Sequence, residues 1–86
     1  MASVEEVKAN VAASVDGAGR AVTGIQAVSD QLDDALALLR LTAFGSFHPS
    51  VANAIAQLEQ ARMRMDEAAT LTRGAMDAAD AYRMIV

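Results

Sequence analysis

The residues of this chain that could carry out chemistry are one histidine and two groups of acids. His48 stands directly before Pro49, the only proline. The acids are Asp30, Asp33 and Asp34 in the first half, and Asp66 and Glu67 in the second. A histidine can transfer a proton or bind a metal, and neighbouring carboxylates can bind a cation. These side chains therefore set the first question, which is whether their spacing fits an active site or a metal centre.

Their spacing fits neither kind of site. One histidine cannot supply the paired Glu-x-x-His motifs of a helical di-metal centre, and Asp30-x-x-Asp33 lacks the glycine and final glutamate of a calcium loop. The chain has no cysteine, which removes thiol nucleophiles, thiolate zinc sites and disulfides. No nucleophile stands at a recognisable spacing from a general base. We expect no enzyme, no cofactor and no metal, with the acids on solvated faces and His48 as a helix cap or solvated turn residue.

Composition and charge narrow the class of protein. The chain has 86 residues, enough for one small domain, and is 53% hydrophobic but only 3% aromatic. Its apolar residues are mainly Ala, Val, Leu, Ile and Met, which suit closely packed helices better than a β-sandwich. A net charge of −4 argues against nucleic acid as a partner. No apolar run approaches the length of a membrane span, so we expect no membrane insertion.

The first helix is expected over residues 4–43. Ser3 stands three residues before Glu6, which is the spacing of a capping box. With Val4 at heptad position a, apolar residues recur every seven positions along the helix. Position a holds Val4, Val11, Ala18, Ile25, Leu32 and Leu39, position d holds Val7, Ser14, Ala21, Val28, Ala35 and Thr42, and position e adds Val15, Val22 and Leu36. We expect positions a and d to form the seam with the second helix.

The second helix is expected over residues 49–85, after a turn at 44–48. The turn residues are Phe44, Gly45, Phe47, His48 and Pro49, with Gly45 free to adopt a left-handed conformation and His48 or Ser46 as the N-cap. The heptad continues through Val51, Leu58, Met65, Thr72, Ala79 and Val86, with Ala54, Ala61, Ala68, Ala75 and Tyr82 as companions and Ile55 and Met76 beside them.

Two long helices and a short turn predict an all-α fold, a long antiparallel two-helix hairpin. Facing residues are then expected to have numbers that sum to about 93, which places Val11 opposite Tyr82 with the tyrosine hydroxyl at the surface. Arg62 interrupts an otherwise apolar position, and we expect it to pair with an acid of the Asp30–Asp34 stretch, or otherwise to reach across an oligomer interface. Phe44 and Phe47 are expected to fold inward at the tip, the alternative being an exposed contact site.

Three glycines, Gly17, Gly19 and Gly24, lie inside the first helix, where each costs about 0.5–1 kcal/mol relative to alanine. One interpretation is a narrow section of the hairpin where the two helices approach closely. The other is a groove for a partner helix, or a bend.

The apolar stripe is wider than one seam can bury, which indicates an interface with another molecule. The partner interface is expected to contain Val15, Val22, Leu36, Leu38, Leu41, Met63, Leu71, Met84 and Ile85. Two hairpins forming a four-helix bundle would cover these residues, since two-fold dimers are the commonest oligomers. The expected partner is a second copy or another helical hairpin.

The turn Thr42-Ala43-Phe44-Gly45 and the tyrosine near the end of the second helix resemble the WXG/ESX-like proteins, helical hairpins that form dimers and travel through type VII secretion. Gly45 matches the glycine of that family's Trp-x-Gly turn, with Ala43 at the tryptophan position. Tyr82 matches the tyrosine of the Tyr-x-x-x-Asp/Glu export signal, with Val86 at the acid position. The resemblance implies a protein partner, which would include a larger secreted protein, and an actinobacterial source.

The sequence thus predicts a small non-catalytic interaction module, with a cytoplasmic structural or adaptor four-helix bundle as the alternative. The acidic start, with Glu5 and Glu6, lacks the basic and apolar segments of a cleaved signal peptide. The two expected locations are therefore the cytoplasm and the exterior reached by a type VII route.

Substitution of Ile25 by Asp tests the seam, because Ile25 occupies position a near the middle of the first helix. Burial of an unpaired carboxylate is expected to cost about 2–4 kcal/mol, enough to remove helicity and association together. Circular dichroism and sedimentation measure both properties, and Gln26→Asp, one residue along, is the control. Retention of both properties in Ile25→Asp would contradict the heptad assignment.

Overall fold

The structure, a computed structural model, describes residues 3–45 and 48–85. Helix α1 spans Val4–Ala43 and helix α2 spans Pro49–Ile85, and the two pack against each other. Gly19 lies beside Met76, and Arg40, further along α1, pairs with Glu59, earlier in α2, so the helices are antiparallel. The described residues contain no strand. The chain is therefore the all-α two-helix hairpin that its heptad pattern predicts.

Side-chain hydrogen bonds satisfy backbone donors at the start of each helix. The hydroxyl of Ser3 accepts a hydrogen bond from the Glu6 N–H at 3.1 Å. His48 Nδ1 accepts one from the Ser50 N–H at 3.1 Å, directly before the first turn of α2. The first N–H groups of a helix have no partner within the helix, so these side chains stabilise the boundaries. The expectation that His48 caps α2 is confirmed, while Ser46 lies outside the described residues.

The end of α1 differs from the expectation. Gly45 does not adopt a positive φ. Phe44 instead has right-handed helical backbone angles and its N–H bonds the Arg40 carbonyl, and the Gly45 N–H bonds the Thr42 carbonyl at 3.2 Å. A tightened last turn of this kind satisfies the final carbonyls, so a left-handed residue is not needed at this position.

The seam between the helices uses heptad positions a and e. Its members on α1 are Val11, Ala18, Ile25, Leu32 and Leu39 at a, and Val15, Val22, Ser29, Leu36 and Ala43 at e, all of them buried or half-buried. On α2, with Val51 at a, the members are Val51, Leu58, Met65, Thr72 and Ala79 at a, and Ile55, Arg62, Ala69, Met76 and Arg83 at e. Steps of three and four residues alternate in this set, which keeps one face of each helix toward the other.

The prediction that position d forms the seam is wrong for α1 from Ser14 onward. Ser14, Ala21, Val28, Ala35 and Thr42 of α1 are exposed. Positions a and e repeat with the same alternating spacing as a and d, so periodicity alone does not choose between them. The side-chain volumes do choose, because position e supplies Val22 and Leu36, which are the buried large residues of α1. On α2, Ala54, Ala61 and Ala68 at position d are half-buried beside the seam, whereas Tyr82 at the same position is exposed.

The hairpin is long and thin. It measures 63 × 20 × 15 Å, with a radius of gyration of 19.3 Å, whereas a compact domain of this length would have one of about 12 Å. Asp33 with Arg62, and Gly19 with Met76, have numbers that sum to 95, close to the expected value of about 93, and Arg40 with Glu59 sums to 99. Among the described residues the buried ones are Val22, Ser29, Leu36 and Ala69. A layer of two helices therefore leaves most apolar side chains in contact with water.

Leu36 and Leu38 provide a matched test of the seam, since they differ in exposure at 3% and 67%. We expect Leu36→Ala to lower the free energy of unfolding by about 2–4 kcal/mol, because it removes packed methyl groups. Leu38→Ala is expected to change it by less than about 0.5 kcal/mol in the hairpin alone. Urea denaturation at a protein concentration too low for association measures both, and equal losses would contradict the a/e seam.

Candidate interaction surface

Ion pairs follow one edge of the seam. Arg62 Nε donates to Asp33 Oδ1 at 2.8 Å, and Arg40 Nη2 donates to Glu59 Oε1 at 3.1 Å. Arg62 also pairs with Asp66 on its own helix. Asp33 and Arg40 occupy position b of α1, and Glu59 and Asp66 occupy position b of α2. The b positions of both helices therefore lie along the same side of the hairpin, which we call the charged edge.

Arg62 starts in the seam and its guanidinium reaches the charged edge. The expected pairing with an acid of the Asp30–Asp34 stretch is confirmed at Asp33. Its hydrogen bond to Asp33, followed by that to Asp66, raises the pKa of Arg62 above its ordinary value. A raised pKa of a base favours the folded state at every pH below that ordinary value, and the contribution is lost only above it. Arg62 is therefore a cation near neutral pH and bridges Asp33 of α1 and Asp66 of α2.

The d positions of the two helices meet on the side opposite the charged edge. Ser14 and Ala75, both at position d, line a shallow cleft of about 180 Å³ together with seam residues. Antiparallel helices present the same heptad positions on each side of their seam, so position g lies just outside position d on both helices. Positions d and g together make up one broad face of the hairpin.

This face is almost free of charge, and we call it the apolar face. On α1 it consists of Val7, Asn10, Ser14, Gly17, Ala21, Gly24, Val28, Gln31, Ala35, Leu38 and Thr42. On α2 it consists of Ser50, Ala54, Gln57, Ala61, Arg64, Ala68, Leu71, Ala75, Ala78, Tyr82 and Ile85. Arg64 is the one charged residue in this set. The sequence does contain a signal for this face, because residues without charge recur at a second alternating spacing of three and four. That signal is missed when position d is assigned to the seam.

Large apolar side chains of this face are in water. Val28, Leu38, Leu71, Tyr82 and Ile85 are all exposed, Leu71 by 75%. They spread along most of the hairpin, on both helices. Exposed apolar side chains gathered on one nearly uncharged face indicate an interface, whereas single ones scattered over a surface do not.

The helical glycines divide between the two faces. A Cβ at Gly19 would lie 3.5 Å from the methyl group of Met76, so Gly19 faces α2. A Cβ at Gly17 or Gly24 would meet no atom within 4 Å, so packing inside the hairpin does not require glycine at either position. Helix α1 continues without interruption through all of them. Close approach of the helices therefore requires glycine at none of the three positions, since a Cβ at Gly19 would make only an ordinary van der Waals contact with a flexible side chain.

The nine residues expected at a partner interface separate into three groups. Val22 and Leu36 are buried between the helices and Val15 is half-buried there, so the expectation that these three face a partner is wrong, because position e belongs to the seam. Leu38, Leu71 and Ile85 are exposed on the apolar face, and Leu41 is exposed beside it at position c. Met63 and Met84 are exposed at position f, on the other side of α2.

At the tip of the hairpin, Phe44 is 93% exposed. The prediction that it folds inward is wrong, because its right-handed backbone continues the helical path and carries position f away from α2. Phe47 lies outside the described residues. Pro49 is the first residue of α2, where its missing N–H has no helical partner to lose.

The described residues bring together no group of three or more His, Cys, Asp or Glu side chains that could hold a metal ion. Asp33 binds Arg62, and Glu67 accepts a hydrogen bond from Arg64 at 3.1 Å. Within the same residues, neither helix is long and apolar enough to cross a membrane.

The fold and this surface define the class as a long two-helix hairpin with one charged edge and one apolar face. The sequence matches no protein-family model, and no curated protein and no solved structure is similar to it.

A double-mutant cycle tests the charged edge. We expect Asp33→Asn and Arg62→Gln to be coupled in the free energy of unfolding, because the pair joins the two helices. The control cycle, Asp16→Asn with Arg20→Gln, removes an exposed pair within α1 at 3.5 Å and is expected to show weaker coupling. Urea denaturation at low and at about 1 M salt measures both couplings, and the first should decrease with salt. Equal couplings in the two cycles would contradict the edge.

Proposed function

We propose that this chain is a small non-catalytic protein-interaction module of the WXG/ESX-like kind, which works as a homodimer or heterodimer of helical hairpins. The observation that carries the proposal is the apolar face, which extends along both helices and has large exposed side chains at Val28, Leu38 and Leu71. A hairpin with such a face is half of a four-helix core, because a second layer of helices is what covers such a surface in a helix bundle.

The charged edge and the apolar face differ in polarity, and this difference favours binding of a partner on the apolar face. The ion pairs of Arg40 and Arg62 occupy the charged edge, where water solvates them. Among the residues that the structure describes, no ion pair crosses the seam on the apolar face. Interfaces are depleted of charge at their centre and polar at the rim, so a partner that covers positions d and g leaves the charged edge as the rim.

Export through a type VII route, with a larger secreted protein as the partner, is the more specific form of the proposal and rests on the resemblance at Gly45 and Tyr82. A cytoplasmic structural or adaptor bundle is the alternative, and Val86 at the expected acid position of the export signal favours it. Recovery of the chain from culture filtrate, and its loss from the filtrate when the secretion ATPase is deleted, would support export. Retention in the cytosol as a stable bundle would support the alternative.

The proposal predicts that the chain functions as part of a larger particle. At native expression level in its source cells, we expect it to elute at twice or more its own mass of 9.0 kDa. Leu38→Glu, which places a charge on the apolar face, is expected to return it to the mass of a single chain. Ala37→Glu is the control on the adjacent exposed position, and it should leave the particle intact. Elution of the native chain as a monomer would overturn the proposal.

A further inference from the structure

The partner of the apolar face follows from the surface area of the hairpin. The chain exposes 6156 Å². A compact protein of 9.0 kDa exposes about 4,850 Å² by the usual scaling of area with mass. The excess is about 1,300 Å², which is more than the ~800 Å² that each partner buries in an interface of standard size. If each of two identical hairpins buried this excess, the interface would cover about 2,600 Å² in total, within the range of obligate homodimers.

Symmetry then limits how two identical faces can meet. One possible two-fold axis runs parallel to the long axis of the hairpin, so that both tips lie at the same end and α1 of one copy covers α2 of the other. This rotation keeps every residue at its own level along the hairpin. The other axis runs across the hairpin, so that the tips lie at opposite ends and each helix covers its own copy.

Side-chain size favours the first arrangement. Facing numbers in the hairpin sum to 95, so Gly24 is level with Leu71, and both lie at position g of the apolar face. The two-fold axis parallel to the long axis of the hairpin therefore places Leu71 of each copy over Gly24 of the other. Leu71 is largely exposed, and a Cβ at Gly24 would have open space around it, with no atom within 4 Å. A large side chain opposite a glycine is the complementarity that close-packed helices need.

Charge favours the same arrangement. Arg64 is level with Gln31, so the one charged residue of the face meets an amide that can accept its hydrogen bond.

We propose that a second copy of this chain covers the apolar face, with both tips at the same end and Leu71 of each copy packed on Gly24 of the other. This inference rests on the proposed function as an interaction module and names its partner. Gly17 and Gly24 then have a physical reason that the single hairpin does not supply, because they let α2 of the second copy approach α1.

Because the chain has no cysteine of its own, disulfide cross-linking of introduced cysteines tests the arrangement without competing thiols. We expect a mixture of the Gly24→Cys chain and the Leu71→Cys chain to give a disulfide-linked pair under mild oxidation, because the bond needs Cβ atoms about 3.5–4.5 Å apart. Met63→Cys mixed with Gly24→Cys is the control and should give none. A linked pair of Gly24→Cys with itself would overturn the arrangement, as would linkage through Met63→Cys.

Affinity measurements provide a second readout that does not depend on oxidation. Sedimentation equilibrium should show a dimer that Leu71→Gln weakens by about tenfold or more, while Met63→Gln weakens it by about twofold at most. Gly24→Leu alone should also weaken it, and Gly24→Leu with Leu71→Ala should recover part of the loss because the large and small positions are exchanged. Circular dichroism on each variant verifies that the helices persist.

The outcomes separate this inference from the proposed function. A chain that is monomeric when purified but forms a complex with a different hairpin in its source cells would overturn the inference and leave the proposed function standing. A dimer insensitive to both Leu71→Gln and Gly24→Leu would do the same. A monomer in both settings would overturn both.

Discussion

Packing of positions a and e between the two helices is the constraint on which the rest of the molecule depends. Val22 and Leu36 bury their side chains in that seam and so fix the rotation of α1 about its own axis. Once that rotation is set, position b faces the charged edge and position d faces the opposite side. The ion pairs of Arg40 and Arg62 and the exposure of Leu38 and Leu71 are consequences of one rotational choice.

Two heptad patterns share each helix. The first, at positions a and e, contains the large apolar side chains that form the seam. The second, at positions d and g, is marked only by a near absence of charge. In α1 the second pattern includes Gly17 and Gly24, which lower the intrinsic stability of the helix by about 1 kcal/mol each relative to alanine. A helix that keeps such residues outside its own seam is stabilised by the long contact with α2 rather than by its local sequence.

Much of this architecture could be predicted from the sequence. The capping pattern at Ser3 and the breaker at Pro49 locate both helices, and the interrupted apolar position at Arg62 correctly indicates an ion pair across the hairpin. The rotation of α1 about its axis could not be predicted from periodicity. Positions a and d repeat with the same alternating three- and four-residue spacing as positions a and e. Deciding between them requires comparing the volumes of Ala21, Val28 and Ala35 with those of Val15, Val22 and Leu36, and knowing what faces them. The outward direction of Phe44 also escaped prediction, since it depends on how the last turn of α1 ends.

The length of the hairpin separates its two ends electrically. Phe44 lies at the tip and Ile85 near the opposite end, in a molecule 63 Å long. The screening length in physiological salt is about 8 Å, so several such lengths lie between the ends. A charge that is added or neutralised beside Phe44 therefore leaves the field around Ile85 unchanged, and only a mechanical path through the helices can connect the two ends.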